Sequence, residues 1–343
     1  MRSPTIYIDP AYSAYQGNKL FDETDPILNR DNSLAPFIRL RSILSQQGVH
    51  VFTADNLLVR GSQISESVDY YSMGLVDNFR SLAKRPNVHL KAFVIFEPPV
   101  VAPHLYKILP ELTGVFDRVY LHNIDGDGFS LTGVDDKKLR KLFWPQPHAD
   151  VFDYLWNVRS RQRRIVVINS NHKPASLFGE LYSKRIQIMA DLALYGIVDL
   201  FGKGWQRWWS RNSMWPPYWR NIAKIMSIYK GSCVFKLETL SQYDFALCFE
   251  NMEMKGYITE KIFDCFYSGT IPIYWGAKDI ENLIPASCYI DFRNFSSVSE
   301  LIFHLNSIKM EEIECMREAG RNFIRSSNYS KYYDFLIDLV RSQ

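Results

Sequence analysis

The sequence predicts an α/β protein built from two Rossmann-like domains. Short apolar runs alternate with helix-period segments along the chain. At 343 residues the length suits about two domains, each with its own core. Residues 144–164 interrupt the alternation with Trp144-Pro-Gln-Pro147 and then Arg159-Ser-Arg-Gln-Arg-Arg164. Paired prolines and dense charge just before a new apolar run have the character of an interdomain linker.

In the first half, residues 5–8 read as a strand. A helix is predicted over 35–47, with Phe37, Leu40, Ile43 and Leu44 on one face and Gly48 as its stop. Further strands are expected at 49–53, at 89–96 running into Glu97-Pro98-Pro99, and at 115–121. After the linker come a strand at 165–169, a helix over 179–195 and a strand at 197–201 ending in Gly202-Lys-Gly204. The aromatic stretch 205–229 has no clean period. A strand at 245–249, a helix over 260–268, strands at 270–275 and near 287–291, and helices over 297–308 and 310–340 complete the chain. No internal repeat or low-complexity tract interrupts it.

Hydrophobic residues make up 47% of the chain and aromatics 15%, a globular composition whose aromatic share suits sugar binding or simply an aromatic-rich core. A net charge of +3 is too small to argue for a nucleic-acid partner and is compatible with a phosphorylated ligand or a membrane surface. The five cysteines (Cys233, Cys248, Cys265, Cys288 and Cys315) are odd in number and lack C-x-x-C spacing, against a disulfide framework or a zinc site. Cys248 and Cys265 lie in apolar runs and read as buried core residues. The first residues carry no apolar signal region, and no run of about eighteen uncharged apolar residues exists to span a membrane. The expectation is a soluble cytoplasmic protein, most simply bacterial, or else a truncated chain. Contact of the arginine run 159–164 with anionic lipid stays open beside the preferred reading of a solvated linker.

The most informative segment is 245–276: Phe245-Ala-Leu-Cys-Phe249-Glu250-Asn251, then Tyr257-Ile-Thr259-Glu260-Lys261, then Gly269-Thr-Ile-Pro272-Ile-Tyr-Trp275-Gly276. An apolar strand, a polar loop, a helix start, a glycine stop and a second strand follow one another. Polar groups thus gather where a strand ends and a helix begins, where open α/β sheets bind ligands. Thr259 reads as the N-cap, and Glu260 suits the positive end of the helix dipole. Lys261 does not suit it: a cation in the first turn costs a few tenths of a kcal/mol or more unless an anion joins it. Helix N-termini with a nearby cation are ready phosphate sites. Lys261 is therefore expected to destabilise the free protein slightly and to strengthen phosphate binding.

This spacing resembles the donor-binding signature of the inverting α1,3/α1,4-fucosyltransferases, glycosyltransferase family 10: a strand ending in Phe-Glu-Asn, Tyr-x-Thr-Glu-Lys, then Gly-x-x-Pro and a further Gly. The resemblance is strong over about residues 165–295 and patchier before. It implies a GT-B architecture, two Rossmann-like domains facing a cleft with C-terminal helices. The expected domains are 1–155 for the acceptor, 156–315 for GDP-fucose, and a helical segment 316–343 that can cross back to the first domain. Animal members of the family carry a signal anchor, and none is expected here.

The resemblance assigns donor contacts to Tyr257, Glu260 and Lys261, with Thr259 beside them, and lines the donor pocket with Glu250 and Asn251. For Glu260 helix-start stabilisation, and for Asn251 local backbone bonding, are the plainer alternatives. The family also clamps phosphate with an arginine. Ile168-Asn-Ser-Asn171 matches the preceding element and Arg185 is the next arginine, with Lys173 and Lys184 as competitors and a solvent-facing helix residue as the alternative. Lys236 resembles a recurrent family lysine or is a surface lysine. Glu97, in Phe96-Glu-Pro-Pro99, is similar to the family's general base, and otherwise caps a loop at a strand end. Asp125-Gly-Asp127 resembles a metal motif of the other main glycosyltransferase fold, but Ile-Asp-Gly-Asp-Gly reads as a plain turn, so neither metal nor cofactor is expected. The implied activity is transfer of L-fucose from GDP-fucose to a hydroxyl of an oligosaccharide or glycolipid, on N-acetylglucosamine or glucose. A same-fold transferase using another nucleotide sugar, or a non-catalytic glycan or nucleotide binder, are the rivals.

Overall fold

The computed structural model describes residues 5–59, 66–158, 160–207 and 214–341. Arg159 of the basic run and residues 208–213 of the aromatic stretch lie outside the described residues. The chain divides into two compact units, Met1–His148 with Ser330–Gln343, and Ala149–Tyr329.

The first unit is a six-stranded sheet of β1 (Thr5–Asp9), β2 (His50–Thr53), β3 (Val68–Ser72), β4 (Val88–Val94), β5 (Arg118–Leu121) and β6 (Leu139–Lys141), in the order β2-β1-β3-β4-β5-β6. Every pairing is parallel. Both faces are covered, as parallel sheets require. Along β1 the alternation of side chains divides the core: Ile6 and Ile8 join Val51, Ala92 and Val94 on one face, while Tyr7 joins Tyr70 and Phe93 on the other. The helix Ala35–Gln46 places Leu40 and Leu44 on the first of these faces, as its apolar spacing predicts.

The second unit repeats the plan with β7 (Gln162–Ile168), β8 (Val198–Phe201), β9 (Tyr229–Gly231), β10 (Tyr243–Phe249), β11 (Ile271–Trp275) and β12 (Ile290–Asp291), in the order β12-β11-β10-β7-β8-β9. These pairings are parallel too. In each sheet the strand order reverses once, between β1 and β3 and between β7 and β10. Such reversals open a crevice at the carboxyl ends of the flanking strands. The helix Glu260–Ser268 and its left-handed stop at Gly269 (φ 67°) follow the sequence expectation.

Four expectations are corrected. The strands β3, β6 and β9 escape the sequence pattern, because Val68-Asp-Tyr-Tyr-Ser72 mixes polar and aromatic residues and the other two are three residues long. Residue 115 ends the helix Leu109–Val115 rather than opening a strand. Near 287–291 only Ile290–Asp291 is strand, after a 3-10 turn at Ala286–Cys288. The single helix expected over 310–340 is three: Met310–Ile324, Ser327–Tyr333 and Phe335–Arg341. Its two ends belong to different cores. Phe323 stacks on Phe263 and meets Phe266 edge-on in the second unit, and Phe335, Leu336, Leu339 and Val340 enter the core of the first. One uninterrupted amphipathic stripe cannot serve both.

Cys248 and Cys265 are buried, as their apolar surroundings suggest. Among the described residues no helix is long and apolar enough to cross a membrane. Asp125 and Asp127 lie on a turn whose backbone N–H groups both donate to Asn123 Oδ1, at 3.0 and 2.9 Å. Gly126 sits in the left-handed region there (φ 83°).

Gly202, just after β8, has φ +143°, and a Cβ added there would overlap the carbonyl of Asn169. Neither side chains nor a small backbone shift relieves an overlap with main chain. Gly202→Ala should therefore destabilise the second unit by about 2 kcal/mol or more, read as a lower denaturant midpoint.

Candidate active site

The polar cluster of the second unit is built at the carboxyl end of β10. All seven residues of that strand are buried, so Glu250, the next residue, is delivered into the interior at the β7/β10 reversal. Its backbone N–H donates to Trp275 O at 2.8 Å, which continues the ladder to β11, and the residue is fully buried. A buried carboxylate has to be paired and hydrogen-bonded. Thr259 supplies its backbone N–H at 2.8 Å and its hydroxyl at 3.0 and 2.8 Å, and Lys261 Nζ lies 2.9 Å from Oε2. Lys261 also donates to Thr259 Oγ1 at 2.8 Å, closing a three-residue network.

This network corrects two sequence expectations. Thr259 has the extended backbone of an N-cap (φ −114°, ψ −168°), but its side chain does not cap the helix. Its hydroxyl is committed to Glu250 instead. The anion that Lys261 needs at a helix start is the Glu250 carboxylate, already part of the protein. Lys261 therefore supports the fold rather than weakening it. Burial alone would lower its pKa, but the Glu250 and Glu260 carboxylates raise it above the ordinary lysine value.

Glu260 is the accessible acid of the group, with its side chain 36% exposed and its carboxylate 3.6 Å from Lys261 Nζ. Burial pushes its pKa up, but Lys261 and Lys236 outweigh that and hold it down at about 2. Lys236 is not a surface lysine. It opens the helix Lys236–Leu240 and forms a close ion pair with Asp264, one turn along the helix Glu260–Ser268. Lys236 and Lys261 both border a small cavity beside Asn169, at the end of β7.

Arg185, on the helix Tyr182–Ala193, is buried rather than solvent-facing. Its Nη2 donates to the carbonyls of Phe249 and Glu250 at 2.9 and 2.8 Å and approaches Asn251 Oδ1 at 3.5 Å. Burial lowers its pKa, opposed by Tyr182, Glu250 and Tyr257. The guanidinium thus grips the end of β10, and Asn251, whose carbonyl also accepts the Leu181 N–H, holds the loop. Tyr257 is buried nearby, its carbonyl accepting the Tyr274 hydroxyl at 3.3 Å. That hydroxyl accepts the Ala277 N–H at 2.9 Å, tying the loop after β11 to the same place.

Two supporting residues are not singled out by the sequence reading. Asp264 is a carboxylate in a helix whose neighbouring residues, Ile262, Phe263, Cys265 and Phe266, are apolar and buried, and that mismatch is the signal for it. Gly276 appears in the motif, but its reason is tertiary. A Cβ there would collide with the Glu250 side chain and the Tyr274 hydroxyl.

Glu97 lies in the first unit, three residues beyond β4, and lines a cavity of about 530 Å³. The cavity opens at the carboxyl ends of β1, β3 and β4, so it occupies the β1/β3 reversal as the Glu250 network occupies β7/β10. The Tyr106 hydroxyl donates to Glu97 O at 3.0 Å and His122 Nε2 bonds Phe96 O at 2.9 Å, so both flanking carbonyls are tied down. His122 stacks on Trp144 (6.0 Å, 14°), and Trp144 meets Phe96 edge-on at 5.5 Å. Among the described residues no cluster of three or more His, Cys, Asp or Glu could hold a metal ion.

Two six-stranded parallel α/β units with polar clusters at their strand reversals define a GT-B-type glycosyltransferase fold. The family model described as glycosyltransferase family 10 (fucosyltransferase), C-terminal part, matches residues 158–317. That matched segment holds the whole Glu250 network. An alpha-(1,3)-fucosyltransferase of Helicobacter pylori is 38% identical over 97 residues, covering 27% of this chain and 20% of that protein. An alpha-(1,4)-fucosyltransferase of Arabidopsis thaliana is 36% identical over 69 residues, covering 20% and 17%. The alignment thus spans about a fifth of the length of these relatives. An alpha1,3-fucosyltransferase crystallised with GDP shares the fold at a TM-score of 0.54 and 16% identity, over 98% of this chain and 91% of that one.

Two outcomes test the network. Lys261→Ala leaves the Glu250 carboxylate buried with Thr259 alone, and should destabilise the second unit by about 3 kcal/mol in denaturant unfolding. Adding Glu250→Gln should recover part of that loss. The depressed pKa of Glu260, about 2 against an ordinary 4.5, adds stability above pH 4.5 that is lost as pH falls toward 2. Glu260→Gln should therefore lower the melting temperature at neutral pH, and its difference from the unaltered protein should shrink steadily below pH 4.5.

Proposed function

We propose that this protein is an inverting fucosyltransferase that moves L-fucose from GDP-fucose to a hydroxyl of an acceptor glycan. The observation that carries the reading is the buried Glu250–Thr259–Lys261 network inside the family-matched segment. It fixes a lysine at a helix start, paired to a buried carboxylate at the carboxyl edge of a parallel sheet, where a sugar nucleotide is expected to bind.

In this reading the second unit holds the donor. Lys261 and Lys236 offset the diphosphate charge as it grows on the leaving group, and Glu260 accepts hydroxyls of the sugar or faces its developing positive charge. Arg185, its Nη2 committed to the carbonyls at the end of β10, positions Glu250 and Asn251 and contributes charge from below. Tyr257 and Thr259 complete the donor pocket. The first unit holds the acceptor, and Glu97 is the general base. The acceptor oxygen bonds to the anomeric carbon as its proton passes to the Glu97 carboxylate. The bond from that carbon to the phosphate oxygen breaks with its electron pair on GDP, inverting the configuration. The lysines serve the role a metal would otherwise play, so no cofactor enters the scheme.

Purified protein should release GDP from GDP-fucose in the presence of a glycan acceptor and keep this activity in excess EDTA. Turnover of a different nucleotide sugar alone would reject the donor assignment. Glu97→Gln should lower turnover by about two orders of magnitude while GDP-fucose affinity stays near its original value. A variant that retains most of its turnover removes Glu97 from the mechanism.

A further inference from the structure

One segment of the chain carries an excess of positive charge that the proposed chemistry does not use. The whole sequence has 40 Lys and Arg against 37 Asp and Glu, a net of +3. Residues 200–231 hold six Lys or Arg and no Asp or Glu, so everything else sums to −3. Five of the eight tryptophans fall in the same stretch. A small average charge thus conceals a local field of one sign, and an oppositely charged surface responds to the local field.

The helix Pro216–Ile228 displays part of this segment. Its inner side buries Tyr218, Asn221, Ile225 and Ile228, and it packs against the helix Tyr182–Ala193. A helix anchored in this way normally turns polar residues outward. Here Trp219 is 46% exposed, and Ala223 and Met226 are exposed with it, so positions i, i+4 and i+7 form an apolar stripe facing water. Arg220 and Lys224 run beside the stripe, one residue along, and neither has an ion-pair partner among the described residues. Leu194 and Tyr195, both exposed, close the neighbouring helix. The two helices lead into adjacent parallel strands, β8 and β9, so Leu194, Tyr195 and Met226 reach the same amino edge of the sheet.

The other basic run, 159–164, offers no such face, because its described arginines are spent inside the fold. Arg161 Nη2 donates to Leu155 O and Ser268 O at 2.7 and 2.9 Å. Arg163 reaches the carbonyls of Leu305 and Ile308, and Arg164 forks onto Asp199 at 3.1 and 2.8 Å.

We infer that the outward face of the helix Pro216–Ile228 docks on an anionic lipid surface. Trp219 and Met226 enter the boundary between headgroups and acyl chains, where an amphipathic indole is at home, and Arg220 and Lys224 meet the headgroup charge. Charge complementarity selects this occupant. A second copy seated by two-fold symmetry would set the same cations against each other. A nucleic acid would satisfy the cations but offer Met226 and Ala223 no apolar medium to enter. The surface is independent of the catalytic reading and lies apart from Glu250 and its network.

The full chain can be sedimented with vesicles of phosphatidylcholine alone, or with about one third phosphatidylglycerol. Binding to the anionic vesicles should be at least about tenfold tighter, since each cation near such a surface contributes about fivefold, and high salt should weaken it. Arg220→Glu with Lys224→Glu should abolish the anionic preference, whereas Arg220→Lys should keep it. Trp219→Ser with Met226→Ser should weaken binding to anionic vesicles by about tenfold or more, with melting temperature and GDP affinity unchanged. Equal binding to the two vesicle types, or anionic binding that both double variants retain, would overturn the inference. So would a single-stranded oligonucleotide that binds this face more tightly than the anionic vesicles, or a dimer in solution that Trp219→Ser with Met226→Ser dissolves. Vesicle binding by a chain that transfers no fucose would uphold the surface and reject only the proposed activity.

Discussion

The second unit is organised around one buried carboxylate. Glu250 ends a strand with no exposed residue, and its charge has to be answered locally or the fold loses several kcal/mol. Thr259 and Lys261 answer it, and that single requirement sets the geometry of the start of the helix Glu260–Ser268. The same requirement explains why Gly276 has no side chain and why the Tyr274 hydroxyl is tied into the loops on either side. The polar cluster at the end of β10 is therefore a by-product of neutralising one charge. Its lysine is held in place before any ligand arrives, which reduces the ordering that binding would otherwise require.

Charge around this point is layered. Arg185 lies beneath, bonded to backbone carbonyls. Glu250 and Lys261 form the middle, and Glu260 and Lys236 reach toward solvent, with Asp264 holding Lys236. Alternating signs let these six charged side chains sit close together with little mutual repulsion. Both units use the same topological device, since each places its candidate site where the strand order reverses. One reversal carries a charged network, and the other an apolar chamber with a single glutamate at its edge.

Much of this was legible in the sequence because it depends on local pattern. Apolar runs located β1, β2, β4, β7, β8, β10 and β11, and Gly269 marked the end of a helix whose apolar residues recur with helical spacing. Glu97 stood out because prolines after a strand stop any helix and hold the carboxylate at the strand's end. Other features had no local signal. Strand β3 lies at the centre of its sheet, but Asp69 and Ser72 hide it, since in the interior of a sheet a neighbouring strand and not the pattern decides pairing.

The sequence by itself determined the order of elements, the alternation that makes two parallel sheets, and the polar residues that collect at the end of β10, because each follows from neighbours within a few positions. Only the tertiary structure decided what those residues do. Local rules made Thr259 a cap and Lys261 a misplaced cation, and a carboxylate nine residues before Thr259 reversed both readings. Likewise nothing local breaks the helix expected over 310–340; it breaks because Phe323 and Phe335 are claimed by different cores. Long-range pairing of buried charge, and competition between cores for one amphipathic stripe, are properties of the assembled chain, and no window of sequence contains them.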